Sequence, residues 1–436
     1  MRICVVGAGY VGLVSAAVLA EWGHDVTCVD NDEEKIAQLQ SGVLPVYEDG
    51  LLEMAARNRS EGRLHFRVDL AQALTQRELV MIAVGTPAGK NGNPDLSAVW
   101  NVVKSLKECS TGQITLVIKS TVPVGTCEAV AEFLYHDEER FDVVSAPEFL
   151  RQGTAIRDYL APDRMVFGCQ TSRAKQVMQD LFRSLECPVI FTDWHSSEMI
   201  KYAANAFLAL KISYINLIAN LSEKVGGNVQ DVAQGVGLDR RIGPAFLKPG
   251  VGFGGSCLPK DTRALVALGE ENGVNVWLLR DVLQINFEQR VHIVKKLEEV
   301  LGGLEGKKIA VLGLSFKPNT GDVREAPALT IISRILERGG KAAAYDPVVD
   351  MEALSREIPF IPALDPYDAV SGAHAVVFLT EWGEFAKLDL RRIRGLLKFP
   401  LLIDGRHIFD PQALKALGFV SQSYDSRPVL EFMSAK

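Results

Sequence analysis

Two Rossmann-like, doubly wound α/β sheets joined by a helical middle segment are predicted from three features of this 436-residue chain. The first is a strand-like run, Arg2-Ile-Cys-Val-Val-Gly7, followed by a glycine-punctuated turn into a helix of small residues. The second is the return of that run as Lys308-Ile-Ala-Val-Leu-Gly313, at a constant offset of 306 residues. The third is helical sequence between them, from about His195 to Leu301. At ~150 residues per domain, the expected division is 1–195, 196–301 and 302–436.

Composition narrows the class. Hydrophobic residues at 47% and charged residues at 23% match a globular chain and exclude a mostly disordered one. A net charge of −7 without a run of basic residues argues against nucleic acid. Seven scattered cysteines (Cys4, Cys28, Cys109, Cys127, Cys169, Cys187, Cys257) form no C-x-x-C pair and no zinc spacing, which predicts a reduced cytoplasmic setting and no metal. The charge-free window Ile3–Ala20 mimics a signal peptide or short membrane span, but its three glycines fit a buried strand and turn better, and no membrane partner is expected.

In Gly7-Ala8-Gly9-Tyr10-Val11-Gly12, the glycines serve a tight turn, close backbone approach to a pyrophosphate and close helix–strand contact. A second strand, Asp25–Val29, ends at Asp30, 18 residues past the last glycine, where an acid receives the adenosine ribose diol. A carboxylate there repels a 2′-phosphate, so NAD is expected in preference to NADP. Lys35 is placed to reach the ribose edge or to stay a solvated helix lysine.

Strand–helix alternation then continues. Leu79–Val84 runs into Thr86, Ile114–Lys119 into Thr121, and Asp142–Ser145 into Glu148. Ligands of an open parallel sheet lie beyond the carboxyl ends of its strands, which makes Thr86, Thr121 and Glu148 candidates for one crevice, with helix capping the alternative for the two threonines.

In the second sheet, Ser315 and Pro318 replace the equivalents of Gly9 and Gly12, so its ligand should differ. His374–Thr380 and Leu401–Asp404 read as further strands, and Phe316, Lys317, Arg324 and Arg406 offer an aromatic and cations suited to a nucleotide diphosphate. In the middle segment, 198–225 is too apolar for a solvent-bridging linker and reads as a packed helical spine, with a second subunit as one of its partners. Lys201 and Asn205, four residues apart, share a helix face and could hold an oxyanion, or simply form an exposed edge.

The loop from Arg240 to Asp261 carries Gly243, Gly250, Gly252, Gly254 and Gly255, too many for regular structure. Pro259 and Asp261 mark the start of a helix, which puts Cys257 just before its N-terminus, where the helix dipole and Lys260 favour the thiolate. An alcohol dehydrogenase that stops at the carbonyl needs no thiol. One that continues to the acid does, because a thiohemiacetal can give up a second hydride and leave a thioester for water to hydrolyse. Two other readings stand beside it: a simple hydroxyacid dehydrogenase with Lys201 as acid/base and Cys257 incidental, and a non-catalytic NAD-dependent nucleotide sensor.

The chain resembles the UDP-glucose/GDP-mannose dehydrogenase family nearly end to end, on Gly7–Gly12, Gly85-Thr-Pro87, Ser120-Thr-Val-Pro-Val-Gly-Thr126, Pro147-Glu-Phe-Leu150, Lys201-Tyr-Ala-Ala-Asn205, Gly254-Gly-Ser-Cys-Leu-Pro-Lys-Asp261 and Gly313-Leu-Ser-Phe-Lys317. The resemblance implies four-electron oxidation of a sugar C6 alcohol with NAD. By its implication Cys257 is the nucleophile, Lys201 and Asn205 stabilise the oxyanion, Asp261 holds a water or takes the alcohol proton, and Thr121 with Glu148 orders the hydrolytic water. Asp30, Lys35, Thr86, Thr121, Lys260 and Arg324 correspond to NAD contacts. Glu148, Phe149, Leu150, Phe246, Leu247, Lys248, Gly250, Gly254, Phe316, Lys317 and Arg406 correspond to nucleotide-sugar contacts, and Arg241 to a contact with a neighbouring subunit's substrate, in a homodimer or larger assembly.

At position 152 the family usually has a second glutamate. Gln152 can hydrogen-bond the cofactor or a water but cannot act as a base, so Glu148 gains weight. The segment Arg241–Gly250 is similar to that of the members that oxidise UDP-glucose to UDP-glucuronate. UDP-galactose, UDP-N-acetylhexosamine and GDP-mannose are the alternative substrates.

Overall fold

The computed structural model describes residues 1–89, 92–110, 112–135 and 140–423. Two compact units divide at Ala204/Asn205.

The first unit, Met1–Ala204, is built on eight strands: β1 (Arg2–Val6), β2 (Asp25–Val29), β3 (Leu64–Arg67), β4 (Leu79–Ile82), β5 (Ile114–Ile118), β6 (Phe141–Ser145), β7 (Met165–Cys169) and β8 (Val189–Thr192). Their spatial order is β3-β2-β1-β4-β5-β6-β7-β8. Strands β3 to β6 form the parallel 3-2-1-4-5-6 arrangement of a dinucleotide-binding sheet, and β7 then joins β6 antiparallel. Helices α1 (Tyr10–Glu21), α2 (Glu33–Ser41), α3 (Leu51–Ser60), α4 (Leu70–Leu74), α5 (Ser97–Cys109), α6 (Thr126–Phe133), α7 (Ala155–Leu160) and α8 (Ser172–Leu181) fill the connections. Apolar clusters form around α1 and α3 and around α5 and α6. Covering both faces is why β4 is an unbroken apolar run and β5 departs from one only at Thr115, both strands being buried at every position.

The charge-free window is β1 followed by α1. Helix α1 is buried without interruption from Gly12 to Ala20, and its alanines let it lie close to the sheet. Strands β4 and β5 stop at Ile82 and Ile118, short of the Val84 and Lys119 expected from apolarity. The physical reason is local: the Lys119 and Ser120 amides both donate to the Ile82 carbonyl, at 2.9 and 3.0 Å, which ends the ladder and turns the chain outwards.

Helix α9 (Trp194–Val225) runs through the unit boundary. It is long and apolar enough to cross a bilayer, but its polar residues have tertiary work. The Lys211 ammonium donates to the Ile242 carbonyl at 3.0 Å, and Asn216 Oδ1 accepts the Gly250 amide at 2.8 Å.

The second unit contains α10 (Val229–Gly237), α11 (Leu258–Glu271), α12 (Trp277–Leu301) and a six-stranded parallel sheet of β9 (Lys308–Leu312), β10 (Lys341–Tyr345), β11 (Ile361–Pro362), β12 (Ala375–Phe378), β13 (Leu401–Asp404) and β14 (Val420–Ser423). Its order, β11-β10-β9-β12-β13-β14, repeats that of the first sheet. Strand β12 is shorter than the 374–380 expected, because the Leu379 amide still pairs with Leu312 while the Thr380 hydroxyl turns to the Ser315 carbonyl. Helices α13 (Pro327–Glu337), α14 (Met351–Glu357), α15 (Pro366–Val370), α16 (Leu390–Leu396) and α17 (Pro411–Ala416) complete it.

The repeat extends to single hydrogen bonds, with donors 306 residues apart and acceptors 316 apart. The Gly7 amide donates to Val29 O at 2.7 Å and the Gly313 amide to Tyr345 O at 2.8 Å, with both glycines at positive φ.

Candidate active site

In the first unit, Asp30 follows β2 and sits against the glycine-rich turn. Its Oδ2 accepts the Ala8 amide at 2.7 Å and the Lys35 ammonium at 3.1 Å. Lys35 is therefore held at Asp30 rather than left as a solvated helix lysine. A Cβ on Gly12 would stand 1.8 Å from the Gly7 carbonyl oxygen, so packing alone demands glycine there. At Gly9 no atom of the chain lies within 4 Å of that point, so the demand for a bare backbone comes from what approaches it. That is the cradle a pyrophosphate needs at a helix N-terminus, and the residues fit NAD. Tyr10 and Val11 open α1 behind it. The Tyr10 hydroxyl donates to Glu48 and accepts the Gly153 amide at 2.7 Å, which ties the turn to the chain around half-buried Gln152.

The three strand-end residues converge within this unit. The buried Thr86 hydroxyl donates to the Thr121 carbonyl at 2.8 Å, and neither threonine caps a helix. Thr121 lines a small pocket together with Lys201. The Lys201 ammonium donates to the Glu148 carbonyl at 2.5 Å and to Glu148 Oε1 at 3.2 Å, while Oε2 accepts the Leu150 amide at 2.6 Å. Both Lys201 and Glu148 are buried, so Lys201 is no exposed helix edge. Phe149 packs between cations, with Arg164 at 3.6 Å and the Lys201 ammonium at 5.4 Å from its ring centre.

In the second unit, the glycine-rich segment has no helix or strand between α10 and α11, as its composition required. Cys257 is the N-cap residue of α11 and is exposed. Cys4, Cys28, Cys127 and Cys169 are buried, and burial pushes the Cys4 and Cys169 thiols up to about 12. Lys260 donates to Asp261 Oδ1 at 2.7 Å, and Arg324 is a further cation near enough to act on the Cys257 thiolate. Arg324, raised above the usual arginine range chiefly by its hydrogen bond to Asp322, stays fully charged. Asp261 is 1% exposed and accepts the Asn205 amide at 2.6 Å as well as Lys260.

Around this loop the expected nucleotide-sugar residues separate by role. At Gly250 a Cβ would stand 3.1 Å from Arg406 Nη1, which places that backbone beside the guanidinium. Gly254 is pressed on the Glu325 carbonyl and Gly255 on the Phe316 ring, while Lys317 lies 5.7 Å from that ring's centre. Phe246 adopts φ 63° and is exposed, and Lys248 is also exposed. The Leu247 side chain is spent in the hydrophobic core, so its backbone is what remains for a ligand. Arg241 is exposed and pairs with Asp239 at 2.6 Å.

Sequence reasoning missed Lys119, Glu198 and Arg164. Glu198 accepts the Gly125 and Cys127 amides at 2.7 and 2.8 Å, and burial pushes its carboxyl up. Lys119 is buried, and burial pushes its ammonium down to about 8. A charged residue closing an otherwise apolar strand run was the available signal for it.

Three family models match: the NAD binding domain of the UDP-glucose/GDP-mannose dehydrogenase family over residues 1–186, its central domain over 195–288 and its UDP binding domain over 310–411. The chain is 46% identical to the UDP-glucose 6-dehydrogenase TuaD of Bacillus subtilis, over 97% of this chain and 92% of that one. It is 45% identical to a UDP-glucose 6-dehydrogenase of Rhizobium meliloti, over 96% and 98%. A solved UDP-glucose dehydrogenase from Pyrobaculum islandicum superposes with a TM-score of 0.88 at 36% identity, covering 93% of this chain and 94% of that one. With the dinucleotide turn, the capping cysteine and three consecutive domain matches in place, the chain belongs to the UDP-glucose/GDP-mannose dehydrogenase family.

Proposed function

We propose that this NAD-dependent oxidoreductase converts the C6 alcohol of UDP-glucose to the carboxylate of UDP-glucuronate by way of a thioester on Cys257. The observation that carries the reading is the placement of Cys257: an exposed thiol at a helix N-terminus, coupled to an arginine, in a chain whose relatives are named UDP-glucose 6-dehydrogenases. NAD, when bound, supplies the hydride acceptor for both oxidations.

The remaining chemistry falls to the chain. Asp261, held by Asn205 and Lys260, takes the alcohol proton or holds the water that does. The Cys257 thiolate adds to the C6 aldehyde, forming a C–S bond and an oxyanion that Lys201 and Asn205 stabilise. Loss of hydride from C6 leaves the thioester. Water ordered by Thr121 and Glu148 adds to that carbonyl, the C–S bond breaks, and the thiol is regenerated. Asp30, Lys35, Thr86 and the glycine-rich turn hold the coenzyme, with Gln152, Lys260 and Arg324 completing its contacts. Phe149, Leu150, Phe246, the Leu247 backbone, Lys248, Gly250, Gly254, Phe316, Lys317 and Arg406 hold the nucleotide sugar. In this reading 1–195 carries the coenzyme, 196–301 the cysteine loop and 302–436 the uridine nucleotide.

The assembly is a homodimer or larger. Phe207, Tyr214, Leu217, Leu221 and Val225 leave an exposed apolar stripe along α9, more than a monomer's surface helix carries. Arg241, exposed and paired with Asp239, is the residue that would reach a neighbouring subunit's substrate. A free catalytic thiol fits the cytoplasm.

The experiment is to mix the protein with NAD and a panel of UDP-sugars and GDP-mannose, then count reduced cofactor per sugar. Two NADH per UDP-glucose and a covalent adduct at Cys257 are expected. Release of one NADH with an aldehyde product sinks the proposal.

A further inference from the structure

Lys119 follows β5 and is 4% exposed, yet its ammonium makes no hydrogen bond or ion pair with the described residues. It lies 5.4 Å from the centre of the Tyr159 ring, in the wall of a cavity of about 70 Å3. Lysine is almost never buried unless paired, because desolvating an ammonium is costly and an apolar side chain of the same volume would pack without that cost. Something must use the charge.

The neighbouring carboxylates narrow the choice. Asp158 is taken by Arg151, at 3.0 and 2.5 Å, and Asp163 is exposed to solvent. Glu198, on α9, is committed to the Gly125 and Cys127 amides. Of the cations, Arg164 is stacked on Phe149, and Lys201 is held by Glu148 itself. Glu148 shares the cavity wall with Lys119 and is its electrostatic partner, while Tyr159 presents only its ring face.

We propose that Lys119 is a positioning residue for Glu148, a second buried cation that keeps this carboxylate ionised and oriented when Lys201 is engaged elsewhere. One ammonium on Lys201 cannot serve Glu148 and a substrate oxyanion equally. A second cation behind the carboxylate removes that conflict, and the cluster of two lysines and one glutamate keeps a net positive charge. The proposal rests on the reading that Glu148 orders the hydrolytic water.

The test uses the full chain carrying Lys119→Met, Lys119→Arg, Glu148→Gln and the Lys119→Met/Glu148→Gln pair. Steady-state rates are measured from about pH 4 to 9 with both KM values. Lys119→Met is expected to lower kcat about tenfold with both KM values within about twofold, and to move the acid limb of the kcat profile up by about one pH unit, since a carboxylate without its cation is harder to ionise. Lys119→Arg restores the limb, and the double variant is no slower than Glu148→Gln alone. A folded Lys119→Met with the parent rate and limb overturns the proposal, as do losses that multiply in the double variant. Lys119→Gln, neutral but hydrogen-bonding, gives the same decision where the methionine variant does not fold. If Glu148→Gln keeps the parent rate, the reading of Glu148 itself has failed and the proposal falls with it. A slow Glu148→Gln beside a normal Lys119→Met removes the proposal alone.

Discussion

The Asp346 carboxylate accepts the Leu314 amide at 2.8 Å, the counterpart in the second sheet of the bond from the Ala8 amide to Asp30 at 2.7 Å. The two acids end the second strands of their sheets but do different work. Asp346 also accepts the Ser315 amide and hydroxyl, the Val348 and Val349 amides and the Trp382 indole, which leaves it no capacity for a ribose. Asp30 stays at the edge of its turn with Lys35 beside it.

Replacing these acids should therefore separate binding from stability. Asp30→Ala is expected to raise the KM for NAD by roughly tenfold or more. Asp346→Ala should leave that KM unchanged and cost about 3 kcal/mol in urea unfolding, because six donors lose one buried acceptor. A raised KM for NAD in Asp346→Ala would contradict the division.

Gly9 and Gly12 provide a parallel contrast inside one motif. Gly9→Ala meets no chain atom, so stability should stay within about 0.5 kcal/mol of the parent while the KM for NAD climbs roughly tenfold or more. Gly12→Ala drives a Cβ into the Gly7 carbonyl and should lose stability and coenzyme together. Thermal melting with and without NAD distinguishes them. A Gly9→Ala protein with ordinary NAD affinity would remove the pyrophosphate from that turn.

Much of this was legible in the sequence, because strand runs, glycine turns and strand-end polar residues are local patterns. The 306-residue repeat gave the second sheet, and Asp30, Thr86, Thr121 and Glu148 followed from where parallel strands end. What remained hidden depends on partners distant in sequence. Nothing near Lys260 announces that Asp261 takes its ammonium, or near Cys257 that Arg324 is a further cation acting on it. The resemblance makes Leu247 a nucleotide-sugar contact, but only tertiary packing reveals that its side chain belongs to the core. The antiparallel β7 was equally unreadable, since its residues suit either direction.

The assignment of cations around Cys257 has a chemical readout. Arg324→Met should slow iodoacetamide alkylation of Cys257 near neutral pH several-fold, since a thiolate loses its coupled charge. Lys260→Met should slow it less, its charge being held by Asp261. Mass spectrometry of the Cys257 peptide measures both, and the buried Cys4 and Cys127 serve as unreactive references. The reverse ranking would return the role to Lys260.

Lys119 makes stability depend on pH in a direction opposite to acid-stabilised pairs. Burial pushes its ammonium from the usual 10.5 down to about 8, so between those values the unfolded chain binds the proton that the folded chain has released. Stability must then rise with pH across that window, by roughly 3 kcal/mol for this group alone, with the gain absent below about pH 8 and complete above about 10.5. Buried thiols and phenols whose ionisation is pushed up act in the opposite sense, so the comparison is the parent minus Lys119→Met, in which their contributions cancel. Urea unfolding of both at pH 7.5 and 10 should show that difference growing in favour of the parent. A difference that stays flat would mean that Lys119 keeps an ordinary lysine's proton and is solvated in the folded protein.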